Sequence, residues 1–223
     1  MNCVVTAGPT YEPLDAVRRL TNFSTGKLGS QLADYLVDRG HQVVLLRGRS
    51  SVYQRPAKTD DVAEFGTTDE LASRLQSLNE RSIDAVFHAA AVSDFRFGKI
   101  WTRSPEGSLE EVKNRKISSE PSGLLAELVP TTKLIGQLRT WFPTAWLVGW
   151  KYEVDGDRSD ALIRANAQVL DRQTDACVVN GPAYGEGFGL VTREGKEFHL
   201  ADSLALFRLL EQQMRSIPRR SEA

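Results

Sequence analysis

Apolar positions along this chain fall into short unbroken runs, separated by segments with helical spacing. "CVVTAG" (3–8) is a compact apolar run ending on Gly-Pro, which predicts a buried strand and then a loop. From Lys27 to Arg39, Leu28, Leu32, Leu36 and Val37 recur at helical spacing, and Gly40 stops the pattern. "QVVLLRG" predicts a second buried strand. Thr68-Asp69-Glu70 opens a helix in which Leu71, Leu75 and Leu78 share one face. "IDAVFHAAAVSDF" (83–95) predicts a third strand that runs into small residues. Leu134, Ile135 and Leu138 place a helix over Thr131–Trp141, and "AWLVGWK" (145–151) is a fourth strand. A long helix over Arg158–Gln173 has Asp157 as its N-cap, and "DACVVN" (175–180) is a fifth strand. "FGLVT" and "KEFHL" flank Arg193-Glu194-Gly195 as a hairpin, and an amphipathic helix over Asp202–Arg215 closes the chain.

Three stretches interrupt this alternation. Residues 9–25 form a long, polar, proline-containing loop, 50–66 look variable, and 96–123 read as a polar flap or excursion. A short β segment is expected near Glu110–Lys113. Alternating strands and helices predict an α/β fold: a three-layer, Rossmann-like, mostly parallel sheet with helices on both faces, plus a hairpin or flap excursion. One domain over 1–217 is expected, with 218–223 as frayed tail. Ligands of such sheets bind beyond the carboxyl ends of the strands, so the loops after Ala7, Leu46, Ala89, Trp150 and Val179 carry the information.

Composition narrows the classes. The 28 Lys+Arg against 29 Asp+Glu lack the basic excess of a nucleic-acid binder. No apolar run approaches the roughly 20 residues that span a bilayer, so no membrane association is expected. "MNCVVTAGPT" has neither a basic n-region nor a long apolar segment, which predicts a cytoplasmic protein. Cys3 and Cys177 lie in apolar runs and read as reduced core thiols. His41, His88 and His199 are scattered, so no metal site is assigned.

Five strand-end segments carry candidate chemistry. In "TAGPT" and "TNFSTGKLG", Gly8, Ser24, Thr25, Gly26 and Gly29 place small residues at a helix start, where unpaired N–H groups attract an anion and Lys27 adds charge. A capped helix with glycines for close packing would use the same residues. In "HAAAVSDF", Ala89, Ala90 and Ala91 leave room for a flat group, and Asp94 offers an acceptor; a close-packed strand end fits equally. "KNRKISS" (113–119) supplies Lys113, Arg115 and Lys116 for a flap over phosphates, or simply a solvated loop. Lys151 and Glu153 leave the fourth strand, and Asn180 ends the fifth.

In order, "VTAGPTYEPLDAVRRLTNFSTGKLG", "AAAVSDF", "RKISS", "LVGWKYE" and "VVN" resemble the phosphopantothenoylcysteine synthetase family, the ligases of coenzyme A biosynthesis, in their single-function form. Thr21, Thr25 and Leu28 are mild departures from that family's Ser, Ser and Met. The resemblance implies joining of 4'-phosphopantothenate to L-cysteine through an acyl nucleotidylate, with CTP or ATP as co-substrate and Mg carried by the nucleotide. It implies that Asn22 binds and polarises the acyl carbonyl and that Lys116 turns the intermediate over. It further implies that Ala89–Ala91 and Asp94 meet the nucleotide, that Gly8, Ser24, Thr25 and Gly26 hold phosphate, and that Lys151 assists. A homodimer is implied, with the 188–200 hairpin or the 96–123 excursion as contact, and a functional link to a separate flavin-dependent decarboxylase. Two departures stand out: the flap reads Lys116-Ile117-Ser118-Ser119, and Gly181-Pro182 follow Asn180. Two other readings compete. One is an NADP-dependent Rossmann oxidoreductase using Arg47, against which stand the missing G-x-G-x-x-G and Tyr-x-x-x-Lys. The other is a non-catalytic nucleotide-binding relative.

Overall fold

The computed structural model describes residues 1–112, 116–118 and 123–216. In chain order the strands and helices are β1 (Asn2–Ala7), β2 (Tyr11–Pro13), β3 (Arg19–Thr21), α1 (Lys27–Asp38), β4 (Gln42–Gly48), β5 (Val62–Phe65), α2 (Thr68–Gln76) and β6 (Ala85–His88). Then come β7 (Phe95–Arg103), β8 (Leu109–Glu111), β9 (Gly123–Pro130), α3 (Leu138–Trp141), β10 (Trp146–Tyr152), α4 (Arg158–Arg172), β11 (Ala176–Asn180), β12 (Phe188–Thr192), β13 (Glu197–Leu200) and α5 (Ser203–Ser216).

Eight strands form one sheet in the order β13-β12-β11-β10-β6-β1-β4-β5. It is parallel from β11 to β5, with β12 and β13 antiparallel at one edge. The expected α/β architecture is therefore present. Alternate residues of β1 explain the layers: Cys3, Val5 and Ala7 pack with Leu32 and Leu36 of α1 and Leu206 and Leu210 of α5. Val4, on the opposite face, packs with Leu71 and Leu75 of α2. On that same side Ala161, Ala165 and Val169 of α4 cover Cys177, Val179 and Val191. Continuous apolar runs are the signature of strands covered on both faces.

Side-chain caps fix the starts of α4, as expected, and of α2. Asp157 and Asp160 form a reciprocal capping box at α4. Thr67, one residue before the expected opening, caps α2 by accepting from Glu70 N–H. Cys3 and Cys177 are free, buried thiols, each pushed up to about 12 by desolvation. Among the described residues no helix is long and apolar enough to cross a membrane.

Two expectations need correction, and two stretches take structure that the sequence did not mark. The 83–95 strand ends at His88, where the chain leaves the sheet in a loop. The helix over Thr131–Trp141 is a 3₁₀ turn at Leu134–Gly136 followed by a single α turn; Gly136 weakens the helix interior, while Leu134 and Leu138 still reach the core. The variable stretch at 50–66 ends in β5, a four-residue edge strand. The 96–123 excursion is largely ordered: β7 and β9 pair antiparallel, from Phe95↔Pro130 to Arg103↔Gly123, with β8 on the other side of β7. Lys113 of the expected β segment, Arg115, Ser119 and the tail at 218–223 lie outside the described residues.

Candidate active site

Two loops leaving adjacent strands build the site. β1 and β6 are parallel neighbours, with Thr6 opposite His88. Beyond the strands the pairing continues: Ala91 N–H donates to the Gly8 carbonyl (3.0 Å), and Thr10 N–H donates to the Ala91 carbonyl (3.1 Å). Thr10 adds a side-chain tie, its hydroxyl oxygen accepting from Ser93 N–H at 2.8 Å. Both residues are buried, so their polar groups must pair internally. The "TAGPT" and "AAAVSD" loops therefore form one platform.

Asn22 lies on that platform. The Thr21 hydroxyl donates to the Thr10 carbonyl (2.8 Å), which fixes the end of β3. The Asn22 side-chain amide then donates to the carbonyl of Val92 (3.1 Å) and, more weakly, of Ala91 (3.4 Å). Asn22 thus stands at the rim of a cleft of about 460 Å³, whose walls include Ala90, Ala91, Asp94, Lys133, Lys151 and Glu153. Cations and carboxylates are matched there. Lys133 is ion-paired with Asp94, Lys151 lies 3.5 Å from Glu153, and Arg164 lies 2.7 Å from the same carboxylate. A phosphate entering the cleft gains Lys133 or Lys151 only by competing with a carboxylate already in place. The indole N–H of Trp150 also lies in this wall, buried and without a partner among the described residues.

A second cluster sits on the other side of the platform. Gly8 and Gly26 have φ of +83° and +75°, a conformation that favours glycine. Their bare backbones converge on Ser51: a Cβ at Gly8 would lie 1.9 Å from its Oγ, and one at Gly26 would lie 2.7 Å away. Ser51 is 3% exposed, and its hydroxyl has no partner among the described residues. Gly26, the N-cap of the 12-residue helix α1, offers no side-chain cap to the N–H groups of its first turn. Thr25 directs its hydroxyl oxygen to Lys27 N–H (3.2 Å), and its carbonyl accepts from Tyr53 N–H (3.0 Å), tying the loop after β4 to the helix start. An orphaned hydroxyl, bare glycine backbone and an uncapped helix start together suit a phosphoryl group.

The sequence-derived site residues thus divide. Asn22, Ala90, Ala91, Asp94 and Lys151 line the cleft, while Gly8 and Gly26 form the cradle, with Ser24 and Thr25 in the turn between them. Ala89 stands back from the cleft wall, its N–H donating to the Phe87 carbonyl (3.2 Å). Sequence reasoning missed Ser51 and Lys133. A serine pair just past a buried strand was the available signal for Ser51; nothing local marked Lys133. Asn180 is engaged through its carbonyl, which accepts from Glu153 N–H (2.8 Å), and Gly181 (φ +114°) follows against the Glu153 backbone.

Lys116 is exposed and does not belong to the cleft wall. Its neighbour Ile117 is 4% exposed and held by one ion pair. The Asp15 carboxylate accepts from Ile117 N–H (3.1 Å), and the Arg18 guanidinium donates to the Ile117 carbonyl (2.6 Å). Arg18 and Asp15 also bond each other at 2.5 Å. The bonded Arg18 guanidinium, helped by the Val17, Ile117 and Arg18 N–H groups, holds the Asp15 carboxyl far below the usual carboxylate range. The latch residues Asp15 and Arg18 stand seven and four residues before Asn22, so the flap stub is tied to the loop that leads into Asn22.

The fold and site define a Rossmann-like α/β protein with a glycine cradle and a charged cleft at the carboxyl edge of its sheet. The model for the DNA/pantothenate metabolism flavoprotein C-terminal domain matches residues 1–204, and the chain belongs to that family. It is 34% identical over 199 residues to the coenzyme A biosynthesis bifunctional protein CoaBC of Thermococcus kodakarensis, covering 87% of this chain and 45% of that protein. The CoaBC protein of Bacillus subtilis is 30% identical over 197 residues, with 88% and 45% covered. The chain therefore spans a little under half the length of these relatives. Among solved structures, the DNA/pantothenate metabolism flavoprotein from Streptococcus pneumoniae superposes with a TM-score of 0.80 at 24% identity, covering 96% of this chain and 99% of that one. A structure of the C-terminal domain of CoaBC superposes with a TM-score of 0.74 at 21% identity, covering 96% and 94%.

Proposed function

We propose that this chain is a phosphopantothenate–cysteine ligase acting in coenzyme A biosynthesis. The observation that carries the reading is the Asn22 amide, fixed between a phosphate-type cradle and a charged cleft on a platform shared by both. In the first step a carboxylate oxygen of 4'-phosphopantothenate attacks the α-phosphorus of CTP or ATP, and pyrophosphate leaves. In the second the cysteine amine attacks the acyl carbon, the nucleoside monophosphate leaves, and the amine loses a proton. The cradle of Gly8, Gly26 and Ser51 takes a phosphoryl group, and Ala90, Ala91 and Asp94 meet the nucleotide. Asn22 donates to the acyl oxygen as negative charge builds on it, with no change in its own protonation. Mg enters on the nucleotide's phosphates; among the described residues no group of three His, Cys, Asp or Glu would hold it alone. A working link to a flavin-dependent decarboxylase is part of this proposal; the CoaBC relatives are named bifunctional.

The test is pyrophosphate release with 4'-phosphopantothenate, Mg and either CTP or ATP, followed by cysteine-dependent product formation. Product with one nucleotide is expected and also identifies it; folded protein that releases pyrophosphate with neither sinks the reading.

The Asp15 latch has its own expected result. Asp15→Asn keeps an acceptor but loses the ion pair, so the flap stub loosens. Pyrophosphate release without cysteine should persist, while conversion of the intermediate slows by about tenfold or more. Equal loss in both steps would instead point to general misfolding.

A homodimer is also proposed. Leu124 and Leu128 lie on one face of the β7–β8–β9 sheet and are 40% and 49% exposed, which suits a contact between copies. Sedimentation equilibrium is expected to give twice the chain mass, and Leu128→Arg to lower it; a wild-type monomer overturns the assignment.

A further inference from the structure

His88 is the one histidine of this chain on the cleft wall, and its ring state follows from its neighbours. It is 6% exposed, and Thr6, directly opposite on β1, is 0% exposed. The Thr6 hydroxyl oxygen accepts from Ala90 N–H at 3.0 Å and lies 3.0 Å from His88 Nδ1. A threonine hydroxyl has a single proton to donate. Among the described residues, His88 Nδ1 is the acceptor in reach of that proton, so the hydroxyl donates to Nδ1. Were the ring to donate instead, the Thr6 proton would be buried without an acceptor, which is costly. Nδ1 is thus unprotonated and Nε2 carries the hydrogen. Burial reinforces the neutral form by lowering the ring's pKa to about 4.

Thr6 is the hydrogen-bond partner His88 has among the described residues. That leaves a donor N–H on a ring in the wall of the cleft, beside Ala90, Ala91 and Lys151. A ring donor on the wall of a cleft is placed to meet a ligand oxygen.

We propose that His88 is a ligand-contacting residue: a neutral imidazole, locked as its Nε2–H tautomer by Thr6, that donates to a phosphoryl or carboxylate oxygen of a bound substrate. The inference rests on the ligase reading for the ligands it names. Both the nucleotide and 4'-phosphopantothenate carry such oxygens. Lys133 and Lys151 already face carboxylates, so a neutral donor contributes a hydrogen bond that no resident carboxylate competes for. It also keeps its charge as the reacting groups change theirs.

The test begins with protein labelled with ¹⁵N in its three histidines. Long-range ¹H–¹⁵N spectra should give His88 the Nε2–H pattern. An Nδ1–H pattern overturns the inference and leaves the ligase reading intact. CTP, ATP and 4'-phosphopantothenate are then titrated separately. The His88 Nε2 resonance should move with the nucleotide or with 4'-phosphopantothenate, which identifies the oxygen's source; no movement at saturation with any of them overturns the inference. Two variants complete the test. His88→Gln can place its amide nitrogen near Nε2, whereas His88→Asn can reach only the Nδ1 position beside Thr6. With melting midpoints matched, affinity for the responding compound should fall about 10- to 100-fold in the Asn variant and be largely kept in the Gln variant. Equal affinities in the two variants overturn the contact. Because binding is read without turnover, a chain that binds with His88 engaged yet releases no pyrophosphate sinks the ligase reading alone.

Discussion

Asn22→Asp is expected to lower turnover by at least about 10²-fold while leaving the fold intact. The side chain is exposed and its bonds go to two carbonyl oxygens, of Val92 and Ala91. Aspartate is nearly isosteric but brings no N–H. Its carboxylate cannot stay 3.1 Å from the Val92 carbonyl, and it turns toward solvent at small cost to stability. The chemical cost is large, because a fixed negative charge now faces an acyl oxygen that must itself become negative. Rapid-quench assays with matched thermal melting check this. Unchanged turnover removes Asn22 from the chemistry, and a large fall in the melting midpoint gives it a structural task instead.

Lys116→Gln is expected to separate the two steps. Glutamine keeps nearly the length of the stem and loses the charge, and the ammonium is exposed. The acyl nucleotidylate should form and persist, since conversion by cysteine slows by about 10²-fold. Mass spectrometry of quenched reactions should show the trapped intermediate with CTP or ATP, whichever the wild-type protein uses. An intermediate that is absent, with pyrophosphate release lost, would move Lys116 to the first step. Combining Lys116→Gln with Asp15→Asn should add little further loss in the second step, because both act through the same flap.

Much of the central sheet is legible in the sequence because its strands are buried on both faces. "CVV", "VVLL" and "ACVV" are apolar throughout because both faces are covered, and the buried Thr6 has its hydroxyl paired. β7 and β9 have no such mark. Their residues are mostly exposed on both faces, so no strict alternation emerges, and their pairing spans a long connection with a bulge between Phe97 and Ile100. β5 is short and half-exposed for the same reason. At the site, the small-residue loops announce themselves, since bare backbone close to other backbone demands glycine or alanine. Lys133 and Ser51 do not, because any loop carries lysine and serine.

The sequence by itself determined the α/β class, the helix cap at Asp157, and the sheet edge at which the candidate site lies. These follow from periodicity and from local hydrogen bonding, which act over a few residues. Only the tertiary structure decided that "TAGPT" and "AAAVSD" form one platform, that the glycine cradle and the cleft are separate subsites, and that Asp15 and Arg18 hold Ile117 about a hundred residues away. It alone also placed the Thr6 hydroxyl 3.0 Å from His88 Nδ1. Each of these depends on contacts between residues distant in the chain, and no local pattern records them.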